Sequence, residues 1–520
     1  MKLSPPCNLS VYLSKDIRAI ETAVKAHAPK PSLMQRAGLA AANLASQLIH
    51  INEPILIFAG PGDNGGDAFE MAIHLSQRGY LVQIYRLNEE TQYSHDAALS
   101  LGGATNSAIT WIVSHEDLEQ ALQSTSLIVD GLFGIGLNRA IIGRAAELVN
   151  LINQTSQRRS IPVLSLDIPS GLNADTGNIF THTGASANSI TTTIRATHTI
   201  TFIANKPGLF TAKGRDFAGK IILETLNIDA DSFPRTSLYL NANDNVTGLL
   251  HRRNHDSNKG SFGDVSIIGG ADGMCGAAIL SARGALMSGA GKVHVGFCTE
   301  QTRSSMEIDP QYPEIMCRHA NDIEFAKSVI AIGPGLAHSP TAKKLLARAL
   351  NESPCLVIDA DAINLIAQDI QLQHQVLKRR EKNFSTILTP HPLEAARLLN
   401  TDTANIQRDR LEAISELTDK FQTIVILKGS GSLISDGQTT FINTSGNPAL
   451  ATGGTGDVLT GVCAALLAQG LAPIDAARLA CFVHGAAADA LVDAGTGPIG
   501  LNASELMPAI RRQLNQISRG

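Results

Sequence analysis

The chain has 520 residues, 44% of them hydrophobic and 17% charged, with a formal net charge of -5, an ordinary soluble globular profile with room for two or three domains. There is no basic excess to suggest nucleic acid as a main partner, and no apolar run approaches a membrane span. Seven cysteines (Cys7, Cys275, Cys298, Cys317, Cys355, Cys463 and Cys481) include no CxxC pair, and the N-terminus lacks the apolar core of a signal peptide, so buried thiols in a reducing cytoplasm are expected rather than disulfides or a zinc site.

From about residue 10 to 230, short apolar runs alternate with amphipathic stretches. ILIFAG (55–60), LVQIY (81–85), LIVDGLFG (127–134) and VLSLDIPSG (163–171) read as strands ending in glycine or acidic turns, with DAFEMAIHLSQRG and HEDLEQALQS as helices between them. This alternation predicts a mainly parallel sheet covered on both faces. AGPGDNGGDAFEMAIHL (59–75) sets a glycine-rich turn before a helix, an anion site suited to pyrophosphate or simply an architectural turn. Asn64, Asp130 and Ser170, on three strand-end turns, offer hard oxygen ligands for one cation. Asp167 ends an apolar strand, where it either does chemistry or caps the next turn. FTHTGASANSITTTI (180–194) reads as a surface excursion.

Residues 229–262 are polar and irregular and are expected to hold the domain boundary. The alternation then restarts with DVSIIGG (264–270), KVHVGF (292–297), SVIAIGPG (328–335), LVIDADA (356–362), TILTPH (386–391) and IVILKGSGSLI (424–434). Ligands of open α/β sheets sit outside the carboxyl ends of strands, so four turns attract attention: GGADGMCGAA (269–278), GPGLA (333–337), TPHPLEAARLL (389–399) and KGSGSLI (428–434). Each also has a plain reading: a glycine turn, a histidine cap at His391, a solvated charge at Lys428. The strongest signal is NPALATGGTGD (447–457) ahead of VLTGVCAALLAQG. Its glycines leave N–H groups uncovered at the start of an apolar helix, a phosphate site with the Asp457 carboxylate placed to take a proton from a hydroxyl, the plain alternative being a glycine-rich turn with Asp457 as a helix cap.

HDSNKGSFGDVSIIGG, DGMCGAA, GPGL, IDADAINLIA, TPHPLEAARLL, LKGSGSLI and NPALATGGTGDVLTGVCAALLAQGLAPIDAA, in that order, resemble the dehydratase domain of bifunctional NAD(P)H-hydrate repair enzymes over about residues 240–510. The resemblance implies a ribokinase-like fold and nucleotide-dependent dehydration of the S epimer of hydrated NADH or NADPH. It points to Ala277, Gly335, His391 and Asp457 as hydrate contacts, and to Lys428, Gly429, Ser430, Gly431, Ser432 and Gly456 as nucleotide contacts. Motif spelling similar to the bacterial type implies ADP as co-substrate, and Mg²⁺ is expected with it. Ala337 stands where the family usually has glycine, and KGSGS replaces KGAGT, both small-for-small changes.

The first-half motifs, with TITFIANKPGLFTAKGRDFAGKI (199–221), resemble the epimerase domain of the same family over about residues 10–230. This implies a Rossmann-like domain that interconverts the R and S hydrates, with K⁺ held by Asn64, Asp130 and Ser170. The hydrate would meet Asp63, Asn64, Gly65, Gly66 and Asp67, then Gly134, Ile135, Gly136, Leu137, Asn138, Arg139 and Ala140, with Asp167 catalytic here and Asp457 catalytic in the dehydratase domain. Asp63, Ala68 and Thr197 depart from the family spelling, and the proline usual after Arg139 is missing.

The expectation is therefore α/β, two tandem three-layer domains, 1–235 and 236–520, in a homo-oligomer acting on small molecules. Two rivals stay open: a ribokinase-type vitamin or sugar kinase, and a non-catalytic first domain.

Overall fold

A computed structural model describes residues 7–88, 92–180, 192–299 and 307–518. The segment expected as a surface excursion lies mostly outside the described residues, since 181–191 are among those not described. The chain divides into two compact units, Met1–Thr236 and Ser237–Gly520.

The first unit holds strands β1 (Pro54–Ala59), β2 (Leu81–Arg86), β3 (Thr110–Ile112), β4 (Leu127–Gly131), β5 (Val163–Leu166), β6 (His198–Phe202) and β7 (Lys220–Glu224). They form one sheet in the order β3-β2-β1-β4-β5-β6-β7, every pair parallel. Alternate side chains of β1 enter different cores, Ile55, Ile57 and Ala59 on one face and Leu56 and Phe58 on the other. That period of two, with both phases apolar, is what a parallel sheet packed between helices requires. The strand order reverses between β1 and β4, opening a crevice at their carboxyl ends, as in Rossmann-type sheets.

The second unit holds β8 (Leu238–Asn241), β9 (Asp264–Gly269), β10 (Lys292–Phe297), β11 (Ile315–His319), β12 (Val329–Ile332), β13 (Cys355–Ile358), β14 (Ser385–Leu388), β15 (Ile424–Leu427), β16 (Leu433–Ser435) and β17 (Thr440–Asn443). Their order is β11-β10-β9-β12-β13-β14-β15-β16-β17-β8. The pairs from β11 through β15 are parallel, while β15, β16 and β17 alternate antiparallel, giving a mixed ribokinase-like sheet. Two sequence readings change here. IVILKGSGSLI is a hairpin, with 428–432 as the turn between β15 and β16. The polar stretch at 229–262 is not wholly irregular, because β8 pairs in parallel with β17 at the sheet edge. Val265, Ile267, Ala331, Val357 and Ile426 of this sheet share a core with the helices Thr455–Ala468 and Pro473–Asp493.

Candidate active sites

In the first unit the helix Asp63–Gln77 starts four residues beyond β1 with no side chain capping its N-terminus, so open N–H groups face the crevice. The approach is tight: a Cβ on Gly65 would stand 2.0 Å from the Gly60 carbonyl oxygen, which only glycine allows. A cleft of about 900 Å³ is lined by Asp63, Asn64, Asp67, the loop Gly134–Ala140 and Asp167. Gly65 and Gly66 do not line it; both are buried, and their N–H groups point back to the Gly62 carbonyl. Arg18, Glu21 and Lys25, from the helix Ser14–Lys25, form part of the wall, which the sequence reading did not foresee.

Asp167 sits just past β5 with φ 64, a left-handed conformation that only a few per cent of non-glycine residues adopt. Its Oδ1 lies 2.7 Å from the ammonium of Lys206, a side chain with no exposure. Lys206 also donates to Thr201 Oγ1 and the Phe202 carbonyl, both at 2.9 Å. Oδ2 of Asp167 is turned to the cleft loop, 3.5 Å from where a Cβ on Gly134 would be. Burial, followed by the charges of Asp167, Glu21 and Asp63, pushes the Asp67 carboxyl well above its ordinary value. Glu21 is raised by burial too, with Lys25 opposing and Asp167 and Asp63 adding to the shift.

Asp130 and Ser170 are brought together. Ser170 Oγ donates to Asp130 Oδ1 at 2.6 Å, Ser165 Oγ to Oδ2 at 2.8 Å, and the Ser170 N–H to Oδ2 at 2.9 Å. Asp130 is wholly buried with no ion-pair partner among the described residues, and burial raises its pKa against those hydrogen bonds. Asn64 is 7% exposed, and neither its amide oxygen nor its nitrogen has a hydrogen-bond partner. An orphaned amide and a buried carboxylate without a counter-charge are what a bound cation would satisfy.

The departures from family spelling are accommodated. Ala68 is buried beneath Gly131, whose missing side chain leaves the room. Asp63 accepts from Ser94 Oγ at 2.6 Å. Thr197 Oγ1 bonds both the N–H and the carbonyl of Val163, each at 3.0 Å, so it staples β5 rather than facing the cleft.

In the second unit, Gly454 (φ 90) starts the helix Thr455–Ala468 without a capping side chain, leaving the first-turn N–H groups open as expected. Asp457 is in that first turn, with its pKa pushed up to about 7. Burial is the main cause, and Asp359, Asp361 and Glu394 add to it while Lys428 opposes it. Lys428 is no solvated charge: its side chain is 19% exposed, and Nζ lies 2.7 Å from Asp359 Oδ1 and 3.9 Å from Glu394 Oε2. A Cβ on Gly456 would come within 3.5 Å of the same ammonium. Asp359 is held below the ordinary carboxylate range, since the Lys428 charge and three hydrogen bonds outweigh burial.

His391 is a helix cap. Its Nδ1 accepts from the N–H groups of Leu393 (3.1 Å) and Glu394 (3.3 Å), and Nε2 lies 3.3 Å from Glu394 Oε1. Acceptance at Nδ1 fixes the neutral Nε2–H tautomer, in accord with a pKa lowered by burial and by Lys428. Glu394 is raised to about 7, chiefly by burial and by Asp359, against the pull of Lys428. The turn Lys428–Ser432 closes on itself, Ser432 Oγ bonding the Gly429 N–H at 3.2 Å. Behind it, buried Arg410 donates to the Leu427 carbonyl at 3.1 Å and the Lys428 carbonyl at 3.3 Å. Gly335 (φ 59) and Ala277 are neighbours: a Cβ on Gly335 would lie 3.3 Å from Ala277 Cβ and 2.6 Å from the Met274 carbonyl oxygen. Ala337 proves less innocent than a small-for-small change, because its φ of 62 is left-handed and its N–H is tied to Asp361 Oδ2 at 2.9 Å.

Residues 30–208 match the family described as YjeF-related protein N-terminus, and residues 265–512 the family described as NAD(P)H-hydrate dehydratase. The bifunctional NAD(P)H-hydrate repair enzyme of Coxiella burnetii is 36% identical over 97% of this chain and 99% of its own length. That of Escherichia coli is 34% identical over 93% of this chain and 89% of its own. An ADP/ATP-dependent NAD(P)H-hydrate dehydratase from Bacillus subtilis, co-crystallised with ATP/Mg²⁺, shares 30% identity with a TM-score of 0.46, covering 54% of this chain and 98% of that one. Two matched domains and near-complete alignment leave no place for a simple kinase: the chain belongs to the family of bifunctional NAD(P)H-hydrate repair enzymes, with an epimerase domain followed by a dehydratase domain.

Proposed function

We propose that the two clefts are the two active sites and that their named residues divide the work as follows. In the dehydratase site, Asp457 is the general base. The observation that carries this is a carboxyl with a pKa of about 7 at an open helix N-terminus, beside a paired lysine. Asp457 takes the proton of the S-hydrate hydroxyl as its oxygen attacks the terminal phosphorus of the nucleotide. With ADP as donor the phosphoryl group moves to the hydrate and AMP departs. The ring nitrogen then expels phosphate, loss of a ring proton restores the double bond, and NADH or NADPH is released. Amides at Gly454 and Gly456 and the Lys428 ammonium offset the charge on the migrating group. Gly429, Ser430, Gly431 and Ser432 hold the nucleotide, while Ala277, Gly335 and His391 hold the hydrate. Mg²⁺ would be carried by the nucleotide phosphates, where it would offset charge on the migrating phosphoryl group.

In the epimerase site, Asp167 faces the hydrate and exchanges a proton with its hydroxyl as the ring carbon inverts. Lys206 keeps one oxygen of Asp167 fixed and leaves the other toward the cleft. Asp63, Asn64, Asp67 and the loop from Gly134 to Ala140 contact the hydrate. K⁺ would be held by Asn64, Asp130 and Ser170, where it supplies the charge that Asp130 lacks. A cytoplasmic homo-oligomer completes the reading, checked by sedimentation. Sequence spelling supports ADP over ATP.

The test is purified protein with mixed R and S hydrates and ADP or ATP, following NADH absorbance. Complete conversion, faster with ADP, is expected. Conversion that stops near the S fraction removes the epimerase assignment, and accumulation of a phosphorylated product removes the dehydratase chemistry.

A further inference from the structure

Asp359 has no part in the reaction as assigned, yet it lies where the elements carrying that reaction meet. It follows β13 and is 1% exposed. Its Oδ1 accepts from Lys428 at 2.7 Å and from Thr389 Oγ1 at 2.8 Å; Oδ2 accepts from Thr460 Oγ1 at 2.7 Å. These donors stand beyond β14, beyond β15, and on the helix Thr455–Ala468, with Thr460 three residues after Asp457. Asp359 occupies the N-cap position of the helix Ala360–Gln368, but its side chain makes no cap bond. An aspartate there ordinarily satisfies its own helix; this one is turned away to three side chains instead. The next residue, Ala360, is held at φ 48, a conformation that disfavours alanine by about 1–2 kcal/mol.

We propose that Asp359 is a positioning residue of the dehydratase site, fixing the Lys428 ammonium beside the Gly456 turn and locking the helix of Asp457 in register with it. This rests on the reading that Lys428 meets the nucleotide. A lysine has three donors on a flexible stem. Asp359 takes one, and the bond to a full charge holds the others in one direction, toward a phosphate at the open helix end. Without that anchor, Glu394, 3.9 Å from the ammonium, is the competing partner. The charge of Asp359 also acts on Asp457, which faces Asp359, Asp361, Glu394 and Lys428. Removing one like charge favours the ionised base, so the acid limb of activity moves to lower pH.

The test is a double-mutant cycle in the full chain with Asp359→Asn, Lys428→Met and both together, reading nucleotide KM, kcat and the pH profile. Asp359→Asn is expected to raise nucleotide KM about 10-fold, the scale of a lost charged hydrogen bond, and to shift the acid limb downward. The double variant should then be no worse than Lys428→Met. If Lys428→Met raises nucleotide KM while Asp359→Asn leaves KM and pH profile unchanged, the positioning role is wrong and the contacts only stabilise the fold. If Lys428→Met leaves nucleotide KM unchanged, the nucleotide-turn assignment falls and this role falls with it. Should Asp359→Asn give no folded protein, Thr389→Val, which removes one donor to the same oxygen, should raise nucleotide KM about 3-fold; an unchanged KM overturns the proposal.

Discussion

Each unit places an aspartate at the carboxyl end of a strand and pairs it with a lysine from beyond a later strand, at 2.7 Å in both cases. The pairs are used differently. In the first unit the paired carboxylate, Asp167, itself faces the cleft loop. In the second, both oxygens of Asp359 are occupied by Lys428, Thr389 and Thr460, and a separate carboxylate, Asp457, stands free of the pair with its pKa near 7. A carboxyl that must remove a proton at neutral pH needs a raised pKa, which a direct ion pair would lower. Separating the paired acid from the base meets both demands in the second unit.

The largest effect expected from this contrast is at Asp457. Asp457→Asn should lower dehydration by roughly 10²-fold or more with nucleotide binding retained, while epimerisation, followed by exchange of R and S hydrates, is untouched. Near-normal dehydration in that variant would remove Asp457 as the base. Asp130→Asn, which keeps shape but deletes the buried charge, should slow epimerisation by at least about 10-fold, the scale seen when a metal site loses its support. Replacing K⁺ in the buffer by a bulky organic cation should do the same to the unaltered chain. Indifference to both changes would make Asn64, Asp130 and Ser170 turn-forming groups.

The raised pKa of Asp457 carries a second consequence for stability. The carboxyl titrates near 3.8 when unfolded and about 7 when folded. Stability associated with its neutral form is therefore complete below about pH 4 and is lost as pH rises toward 7. Asp457→Asn should melt above the unaltered chain at pH 8, with the two converging toward pH 4; a constant gap across that range would mean that Asp457 is not perturbed. The smallest effect concerns Ala337. Ala337→Gly relieves a left-handed alanine but loosens the unfolded chain, so stability should change by no more than about 1 kcal/mol with kinetics unaltered. A larger loss would give the alanine methyl a packing role.

Much of this was legible in the sequence because apolar runs closed by glycine turns announce strand ends, and strand ends are where α/β sites lie. Asn64, Asp130 and Asp457 carry local signals of that kind. Lys206, Glu21, Asp359 and Arg410 do not. The lysine in ANKPG and the aspartate in IDADA look like any polar residues beside a turn, and Lys428 and Asp359 are 69 positions apart. Only the sheet order, which runs β13, β14, β15, brings their strand ends to one edge of the sheet with a single strand between them. Ala337 shows a different limit: residue size is visible in a sequence, whereas backbone sign is not.

The central claim is that two separate sites act in turn on a substrate free to leave one and enter the other. Mixing the Asp167→Asn chain with the Asp457→Asn chain tests it most directly. Given both hydrates and ADP, each variant alone should fail, the first stopping near the S fraction and the second regenerating almost no NADH. The mixture should restore complete conversion. A mixture that still stops near the S fraction would contradict the account, because the epimerase site of the Asp457→Asn chain would then be unable to supply the dehydratase site of its neighbour.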